Sequence, residues 1–560
     1  MAGEQGPQVL RAGPLSALLV GSDLRRVALG GDELIARIYV ASRGPDWSTA
    51  ESRLRRLRIE NRDRGVDVRF AVDHAGPEIG VAWKGAVHLD ARSLLYEVSG
   101  VTTRPTRYVR LGLCVLHPPA MAGARFVAQT PRGPVRGVFP HAINPQFLPP
   151  GGEDHTTLPA FTELEIERSD GLRMRLRFTG DVFEIEDQRN WGDASFKTYS
   201  PPLAATQERI APVGERVRQG VEIDIGRPAL LFRRSTGRSV SIGPGNGEGE
   251  RRPKIGIGDD RALASLIRPD HVRVDLRDNS ALRRAVEAAA ALGSALELDM
   301  RLERPGRGEF ATLASAIAGV DVARLIVETD AATVAAARRE LPHIAIAGRS
   351  GESFAGLNSR RPDFWVLDEI AWPMHPQTHA GDDMSVMETP AILVDMLATA
   401  RLFAGDRPLG IAPLTLAALE VDDGRVRTPF GGAWTLATLA YASLGGAAWV
   451  TCPDGGAGAH VLADFCERPW RVFDAPSDDP RRVVAVELRS DPVRCVLAAN
   501  LTPERVTVSG QWQRGAHARR LHGGTIERAM RDPRGFRTGS SVTVSRRLVL
   551  EPYETIRLDY

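Results

Sequence analysis

Apolar and polar positions alternate along short segments of the first 235 residues, and Gly and Pro residues separate these segments. A period of two residues is typical of β-strands that have one buried face. The strands predicted in this way are 33–40, 66–72, 79–83, 107–116, 162–166, 172–178 and 217–225. Residues 48–57 have a spacing that fits a short helix instead. The pattern predicts an N-terminal β-sandwich domain over residues 1–235.

The pattern changes after residues 236–253, which are rich in Gly, Ser and charge and are predicted to form a linker. Short apolar runs then alternate with segments of helical spacing such as 281–292, 331–341 and 384–403. The eight apolar runs are 254–257, 271–276, 295–300, 324–327, 344–347, 364–367, 409–412 and 447–451. Eight strands that are mostly followed by helices indicate a (β/α)8 barrel, predicted here over residues 254–468.

Two-residue alternation returns near the C-terminus, at residues 483–488, 493–499, 506–509, 541–544 and 547–551. These strands predict a small C-terminal β-sandwich over residues 469–560. The predicted fold class is therefore multidomain, with α/β and all-β parts: a central (β/α)8 barrel between a large N-terminal and a small C-terminal β-sandwich. The uncharged run 433–450 is as long as a membrane span. Its Gly445-Gly446 pair, however, divides it into a buried helix and a buried strand.

The composition limits the partners that we expect for this protein. Its 560 residues include 72 Lys and Arg against 70 Asp and Glu, a formal charge of +2. This balance gives no electrostatic reason to expect nucleic acid or an anionic membrane surface as a partner. Four Cys are too few for a disulfide framework, and the first residues lack the features of a secretory signal. We expect a cytoplasmic protein, for which self-association into a homo-oligomer stays open.

The carboxyl ends of the barrel strands are the first place to search for chemistry, because active sites of such barrels lie there. Glu328 follows the fourth predicted strand, where it fits either a general acid or base or the start of the next helix. The loop after the sixth predicted strand contains His375, Gln377 and His379. Imidazoles titrate near neutral pH, so both histidines are candidates for activating water or protonating a leaving oxygen.

A metal ion and an organic cofactor are not predicted. The two histidines of this loop are four residues apart, but Pro373 and Pro376 prevent the helix that would bring them to one face. The nearby Asp382 and Asp383 are predicted to cap the helix that follows. The chain also has no phosphate-binding or dinucleotide-binding glycine motif between a strand and a helix.

The most polar stretch of the chain, EDQRNWGDASFKTY at residues 186–199, lies in the predicted N-terminal domain. It combines Asp187, Asn190 and Lys197 with the aromatic residues Trp191 and Tyr199. Aromatic rings among hydrogen-bonding groups suit a sugar-like ligand, whose CH faces stack while its hydroxyls form hydrogen bonds. Lys197 stands out because the chain has Arg at nearly every other basic position. The alternative is an ordered surface loop with many salt bridges.

Four motifs resemble the bacterial D-apionate lactonases: EDQRNWGDASFKTY (186–199), GLCVLHP (112–118), FAGLNSRRP (354–362) and HPQTHAGDD (375–383). The resemblance extends over nearly the whole chain. It implies an N-terminal β-domain, a barrel and a C-terminal β-domain, in agreement with the division above. It also implies hydrolysis of a sugar-acid lactone in the catabolism of a branched pentose, so that the partner is a small sugar acid or its lactone.

The chain departs from the pattern of this family at three places. The family has Glu where this chain has Gly356, and a Glu-containing run where this chain has Thr451 to Asp454. It has Asn where this chain has His375. If the two missing carboxylates are the acid and base of the family, this chain has a shifted specificity or is inactive. Asp454 or Glu352 are the candidates to replace them.

The leading hypothesis is a lactonase-like hydrolase acting on D-apionolactone or a related aldonolactone. His379 or Glu328 is its predicted base and His375 its predicted acid, while Asp187 orients Lys197. The predicted substrate-binding residues are Asn190, Trp191, Lys197, Tyr199, Gln377, Asn358 and Asp454. Two alternatives remain: a glycoside hydrolase on the same scaffold, which needs two carboxyl groups across one bond, and a sugar-acid binding protein that has lost catalysis.

Overall fold

The computed structural model describes residues 6–145, 158–202, 208–226, 239–258, 266–277, 279–302, 305–361, 364–453, 455–512, 515–539 and 541–559. The chain divides into two compact units. The first contains Met1–Asn144, Glu153–Gln188 and Ser195–Thr236, and the second contains Pro145–Gly152, Arg189–Ala194 and Gly237–Tyr560. The segment Arg189–Ala194, from the centre of the polar stretch, therefore belongs to the second unit although its neighbours on both sides belong to the first.

The first unit consists mainly of two large antiparallel sheets. The seven strands of one sheet are, in spatial order, Gln8–Ala12, Leu15–Val20, Asp23–Leu29, Asp32–Arg43, Arg110–His117, Phe196–Tyr199 and Glu184–Asp187. The nine strands of the other are Gly133–Val138, Arg125–Thr130, Glu163–Glu167, Arg173–Thr179, Arg216–Ile225, Ser93–Thr102, Gly80–Asp90, Gly65–Ala75 and Glu51–Asn61. A small ribbon pairs Thr106–Tyr108 with Arg209–Ala211, and Pro119–Met121 forms a 3-10 turn.

The alternation of apolar and polar residues in the sequence corresponds to alternating burial of side chains in these sheets. Along Leu15–Val20 every second side chain is buried, as the two-residue repeat of a strand requires. Side chains from both sheets, such as Leu113 and Tyr96, form one hydrophobic core, and the Tyr96 hydroxyl donates to the Ser22 carbonyl at 2.9 Å. The helix predicted at 48–57 is wrong: this region is the strand Glu51–Asn61 at a sheet edge, where exposure removes the alternation.

The second unit contains a closed barrel of eight parallel strands. They are Lys254–Ile257, His271–Asp275, Ala295–Asp299, Val322–Glu328, Ile346–Arg349, Glu369–Met374, Leu409–Leu414 and Trp449–Cys452. The described helices that accompany them are Asn279–Leu292, Arg307–Ala316, Ala331–Glu340, Phe354–Arg360, Asp383–Glu388, Ile392–Ala404, Pro429–Leu444 and Gly458–Cys466. Short 3-10 turns lie at Phe364–Val366, Thr389–Ala391 and Gly424–Arg427. The predicted (β/α)8 barrel is confirmed.

Two predicted elements of the barrel differ from the structure. The sixth strand is Glu369–Met374, whereas the apolar run predicted for it begins with the 3-10 turn Phe364–Val366. The run misleads because two of its apolar side chains are on the surface: Trp365 is 89% and Val366 46% exposed. The single helix predicted over 384–403 is two α-helices joined by the 3-10 turn Thr389–Ala391, because Pro390 has no backbone N–H to continue the first helix.

Charged side chains fill part of the barrel interior. Glu297, fully buried on the third strand, accepts hydrogen bonds from Thr451 at 2.7 Å and Arg324 at 3.1 Å. The Nε2 atom of His271 lies 3.2 Å from the same carboxylate. Burial alone would raise the pKa of Glu297, but the charges of His271 and Arg324 lower it to about 2. This cluster therefore holds an ionised carboxylate inside the barrel.

Part of the predicted linker is not a connecting loop. Its strands Ser239–Ile242 and Asn246–Arg251 pair with Val506–Gly510 and Arg471–Asp474 of the C-terminal domain. The alternating SVSI run and the extended GEGER run supply ladder hydrogen bonds in spite of their small and charged residues.

The C-terminal domain is the predicted small β-sandwich. Its larger sheet has the order Asn246–Arg251, Arg471–Asp474, Val483–Ser490, Val493–Asn500, Thr555–Asp559, His517–Leu521 and Ser541–Thr543. Its smaller sheet has the order Ser239–Ile242, Val506–Gly510 and Arg547–Leu550, and the helices Ile526–Arg531 and Pro533–Gly539 follow His517–Leu521 in the chain. Across the described part of the chain, no helix is both long and apolar enough to cross a membrane.

Candidate active site

The loop after the sixth barrel strand is held at both ends. The strand Glu369–Met374 that precedes it is almost entirely buried. At its other end Asp382 accepts a hydrogen bond from the backbone N–H of Ser385 at 3.0 Å, so it is the N-cap of helix Asp383–Glu388. The predicted capping role of Asp382 is thus observed, and Asp383 is the first residue of the helix.

A histidine–carboxylate pair lies on this loop. The Nδ1 atom of His379 is 2.5 Å from Oδ2 of Asp193, which comes from the segment Arg189–Ala194 of the same unit. The indole of Trp191 meets the His379 ring edge-on, with centroids 6.1 Å apart. A carboxylate that accepts from Nδ1–H fixes the neutral tautomer whose lone pair is on Nε2. Both side chains are partly exposed, His379 by 22% and Asp193 by 15%, so a small molecule can reach the imidazole.

The segment that carries Asp193 is anchored by two other contacts. Arg189, which is fully buried, donates to Asp395 on the helix Ile392–Ala404 at 2.9 Å. Asn190 and Asn358 are also fully buried, and the amide of Asn358 donates to Oδ1 of Asn190 at 3.0 Å. Together with the His379–Asp193 contact, these two contacts hold the six residues of Arg189–Ala194, and this fixes the position of the Asp193 carboxylate.

His375 and Gln377 have different surroundings from His379. The backbone N–H of Gln377 donates to Nδ1 of His375 at 3.3 Å, which assigns the proton of this imidazole to Nε2. Burial lowers the pKa of His375, with Asp193 acting in the opposite direction, so the ring is neutral at physiological pH. The amide nitrogen of Gln377 donates to the Leu416 carbonyl and to Asp423, each at 2.7 Å, and so ties the loop to the segment after the seventh strand.

Glu328 belongs to a second cluster at the carboxyl ends of the strands. Its carboxylate accepts from Nε of Arg349 at 2.9 Å and from the backbone N–H of Gly351 at 3.2 Å. Arg349 also donates to Asp299 at 2.5 Å, where it is joined by Arg273 at 2.6 Å. Glu328 is therefore part of an arginine–carboxylate network, in which its carboxylate already accepts two hydrogen bonds.

The other candidates of the polar stretch lie in the first unit. Lys197 is buried, and its Nζ is 3.3 Å from Glu186 and 5.2 Å from the centre of the Tyr199 ring. Burial lowers the pKa of Lys197, and the charge of Glu186 opposes this effect. Asp187, predicted to orient Lys197, accepts instead from the backbone N–H of Asn144 at 3.3 Å. The strand register explains the difference, because Lys197 is directly opposite Glu186 and neighbouring side chains point to opposite faces.

Comparison with known proteins assigns a family to this fold and site. The sequence patterns of the D-apionate lactonase N-terminal domain, TIM barrel domain and C-terminal immunoglobulin-like domain match residues 2–228, 323–463 and 480–558. The chain belongs to the D-apionate lactonase family. A D-apionate lactonase from Brucella anthropi is 28% identical to it over 459 residues, which cover 74% of this chain and 73% of the relative. The predicted resemblance to D-apionate lactonases is confirmed.

Solved structures similar to this member of the D-apionate lactonase family are distant ones. A GH30 endoxylanase from Clostridium papyrosolvens C71 has a TM-score of 0.40 and 12% identity, with 57% of this chain and 99% of that chain covered. A β-arabinopyranosidase has a TM-score of 0.35 and 11% identity, with 99% and 100% covered. Likeness at this level carries no argument about activity.

The structure shows the surroundings of several positions at which a departure from the D-apionate lactonase pattern is predicted. A Cβ atom on Gly356 would lie 2.2 Å from the carbonyl oxygen of Ser350, so this backbone geometry accepts only glycine there. Glu352 is 72% exposed and pairs with Arg301 at 2.6 Å. Cys452 is buried at the end of the eighth strand, and Asp454 lies outside the described residues.

Asp193 is the functional candidate that sequence reasoning missed. Asp193 lies within the polar stretch, which indicated a candidate ligand-binding region, but its partner His379 is 186 residues away in sequence. The structure brings together Asn190, Trp191, Asn358 and His379 through the contacts above, and Gln377 and His375 lie on the same loop. Among the described residues, no three His, Cys, Asp or Glu side chains are arranged to hold a metal ion.

Proposed function

We propose that this protein is a hydrolase that opens a sugar-acid lactone, D-apionolactone or a related aldonolactone, with His379 as the general base. The observation that carries the proposal is the hydrogen bond of 2.5 Å between Nδ1 of His379 and Asp193 at the carboxyl end of the barrel. A histidine oriented by a carboxylate is the arrangement that makes imidazole an effective base at neutral pH. The name of its relative from Brucella anthropi, D-apionate lactonase, supports the choice of substrate class.

In the first step Nε2 of His379 accepts a proton from water as the water oxygen attacks the lactone carbonyl carbon. A tetrahedral intermediate forms, with negative charge on the former carbonyl oxygen. Asp193 stabilises the imidazolium that results, because its carboxylate already accepts the Nδ1 proton. The bond from the carbonyl carbon to the ring oxygen then breaks, and the imidazolium returns its proton to that oxygen. The product is the open hydroxy acid.

Hydrogen-bond donors for the oxyanion are proposed among the polar side chains next to the pair. His375 is a neutral imidazole with its proton on Nε2, so we assign it as a donor rather than as the acid of the earlier hypothesis. Asn190 is a second donor candidate, because it lies on the same anchored segment as Asp193 and carries an amide group. Loss of one such donor typically costs about 10²–10³ in rate.

The same geometry favours His379 over Glu328 as the base. Glu328 already accepts two hydrogen bonds, one from the Arg349 guanidinium and one from the Gly351 N–H, whereas His379 is oriented by a single carboxylate. Trp191, perpendicular to the His379 ring, is proposed to contact the CH face of the sugar ring. Lys197 and Tyr199 remain predicted substrate-binding residues of the first unit.

Proton release on a panel of pentonolactones and hexonolactones, D-apionolactone included, tests this function. Each turnover yields an acid that loses its proton at neutral pH, so a pH-stat records the rate directly. We expect His379→Ala to lower kcat by about 10²–10⁴, the range for loss of a general base. The matched control is His343→Ala, which removes an exposed histidine elsewhere on the barrel and is expected to leave kcat unchanged.

Three results would contradict the proposal. Full turnover by His379→Ala would move the base elsewhere, with Glu328 as the next candidate. Absence of turnover with every lactone, together with saturable stabilisation of the fold by the lactones or their acids, would indicate a sugar-acid binding protein. Release of a reducing sugar from a glycoside would instead support the glycoside hydrolase alternative.

A further inference from the structure

A pocket of about 490 Å³ lies within the second unit, between the barrel and the C-terminal domain. The barrel contributes residues near the start of helix Pro429–Leu444, and the C-terminal domain contributes residues 522–524 and 551–553. A volume of this size falls within the range of small-molecule sites. Neither histidine of the candidate active site lines this pocket, which we call the 430/553 pocket after its two aromatic residues.

The aromatic side chains of the 430/553 pocket are Phe430 and Tyr553. Their rings are nearly perpendicular, at 68°, with centroids 5.0 Å apart. The backbone of Tyr553 is in the left-handed region, with φ of +53°, which costs about 1–3 kcal/mol for a residue other than glycine. Such strained positions are common where a side chain must be aimed at a ligand. Tyrosine at position 553 therefore carries a backbone conformational cost that glycine would not have.

The charged side chains at the pocket are paired, so they do not attract an anion. Asp383 and Glu551 both line the pocket, and both are paired: Oδ1 of Asp383 accepts from Arg425 at 2.7 Å, and both oxygens of Glu551 accept from Arg505 at 2.8 Å. The guanidinium of Arg425 is already used: it donates to Asp383 at 2.7 Å and to Asp423 through both Nε and Nη2. The acids and arginines at the pocket therefore balance one another, so an anionic ligand would meet no arginine that lacks a partner acid, whereas a neutral ligand needs none.

A neutral polyhydroxylated ring fits the same surroundings well. Carboxylates are acceptors only, and hydroxyl groups are the donors that satisfy them. Aromatic rings such as that of Tyr553 take up the apolar CH face of a sugar, while the carboxylates bind its hydroxyls. The cavity volume is sufficient for one or two sugar rings.

We propose that the 430/553 pocket is a second carbohydrate site, which binds a neutral mono- or disaccharide against the Tyr553 ring. The occupant differs in charge from the acid that a lactonase releases, so the pocket distinguishes sugars from sugar acids. It also adjoins the active-site loop, because Arg425 donates to the carbonyl of Gly381 at 2.9 Å. Binding at this site does not depend on the proposed hydrolysis.

Isothermal titration with D-xylose, D-galactose and lactose, and with D-galactonate as the anionic counterpart, tests the proposal. We expect saturable binding of at least one neutral sugar and at least about tenfold weaker binding of D-galactonate. Tyr553→Gly removes the ring and is compatible with the positive φ, so the variant is expected to fold and to bind the sugar at least about tenfold more weakly. Tyr553→Phe keeps the ring and is expected to bind within about threefold of the wild type.

His379→Ala is the control that separates this pocket from the active site, and it is expected to bind the sugar as the wild type does. Three results would overturn the proposal: no saturable binding of any neutral sugar to the wild type, undiminished binding by Tyr553→Gly, or binding that disappears in His379→Ala. None of these results depends on lactone turnover, so failure of this proposal and failure of the proposed function are distinguishable.

Discussion

Two histidine–carboxylate pairs of the same unit differ in what surrounds them. In the barrel interior, Nε2 of His271 is 3.2 Å from Glu297 and 2.9 Å from Thr451, and both members of the pair are fully buried. At the carboxyl end of the barrel, His379 uses Nδ1 for Asp193 and is 22% exposed. The chemistry of the two pairs is the same, but only the second can exchange a proton with a molecule from solution.

The difference indicates that buried and exposed ion pairs of the same barrel have separate roles, the first in stability and the second in reactivity. Glu297 has His271, Thr451 and Arg324 around it, so its charge is neutralised within the protein. The carboxylate of Asp193 faces an imidazole that is 22% exposed. Interior pairs are therefore expected to control stability, and the pair on the loop is expected to control rate.

The largest expected effect is on the interior pair. Glu297→Gln removes the charge that faces His271 and Arg324, and loss of one partner of a buried ion pair costs about 3–5 kcal/mol of unfolding free energy. Denaturant unfolding at pH 7 measures this cost. The matched control is Glu352→Gln, which also removes a carboxylate paired with arginine, but one that is 72% exposed. We expect the control to lose at most about 1 kcal/mol.

The cost of Glu297→Gln should also depend on pH. The pKa of Glu297 is lowered to about 2 in the folded protein, below its value of about 4.3 in an unfolded chain. A lowered folded pKa contributes stability that is present above pH about 4.3 and is lost as the pH falls towards 2. The gap in stability between the wild type and Glu297→Gln should therefore shrink over this interval. A gap that stays constant from pH 5 to pH 3 would contradict this assignment.

The pair on the loop should respond in the opposite way. Asp193→Asn keeps the size of the side chain but removes the charge that fixes the His379 tautomer, so kcat for lactone opening should fall at least about a hundredfold. The free energy of unfolding should change by no more than about 1 kcal/mol, because the pair is partly exposed. Kinetics in a pH-stat and denaturant unfolding of the same samples give both numbers.

Asp395→Asn is the control for this prediction. Asp395 anchors the same segment through Arg189 at 2.9 Å but lies away from the imidazole contact. If its removal lowered kcat as much as Asp193→Asn does, Asp193 would act only by holding the segment in place. We expect a change in kcat of less than about tenfold, with a loss of stability.

The parts of the fold that the sequence predicted correctly are those where one apolar run corresponds to one buried element. Seven of the eight barrel strands follow this rule, whereas the sixth was misplaced because Trp365 is apolar but 89% exposed. The loop with His375 and His379 was found because polar residues cluster after a strand. The partner of His379 was not, since Asp193 is 186 residues distant and only the folded chain brings it to the loop.

Gly356 shows what a sequence comparison alone conceals. A lost carboxylate is predicted here from the sequence, but in this structure a Cβ at Gly356 would lie 2.2 Å from the Ser350 carbonyl oxygen. The segment of Ser350 is itself fixed, because Ser350 is hydrogen-bonded to Thr329 at 2.6 Å and Gly351 donates to Glu328. Gly356 therefore lies at a close approach of two backbone segments, which gives the position a structural role.

The smallest expected effect is that of Gly356→Ala, for which the close approach predicts the sign. Gly to Ala in a helix usually stabilises a protein by about 0.4–1 kcal/mol, because the unfolded chain loses freedom. At Gly356 the added methyl group must displace the backbone at Ser350, so we expect a loss of about 1–3 kcal/mol. Gly308→Ala, in helix Arg307–Ala316, is the matched control, because a Cβ there meets no atom within 4 Å. Denaturant unfolding should move the two variants in opposite directions, and a gain at both positions would show that the Ser350 segment can shift to make room for a larger residue at 356.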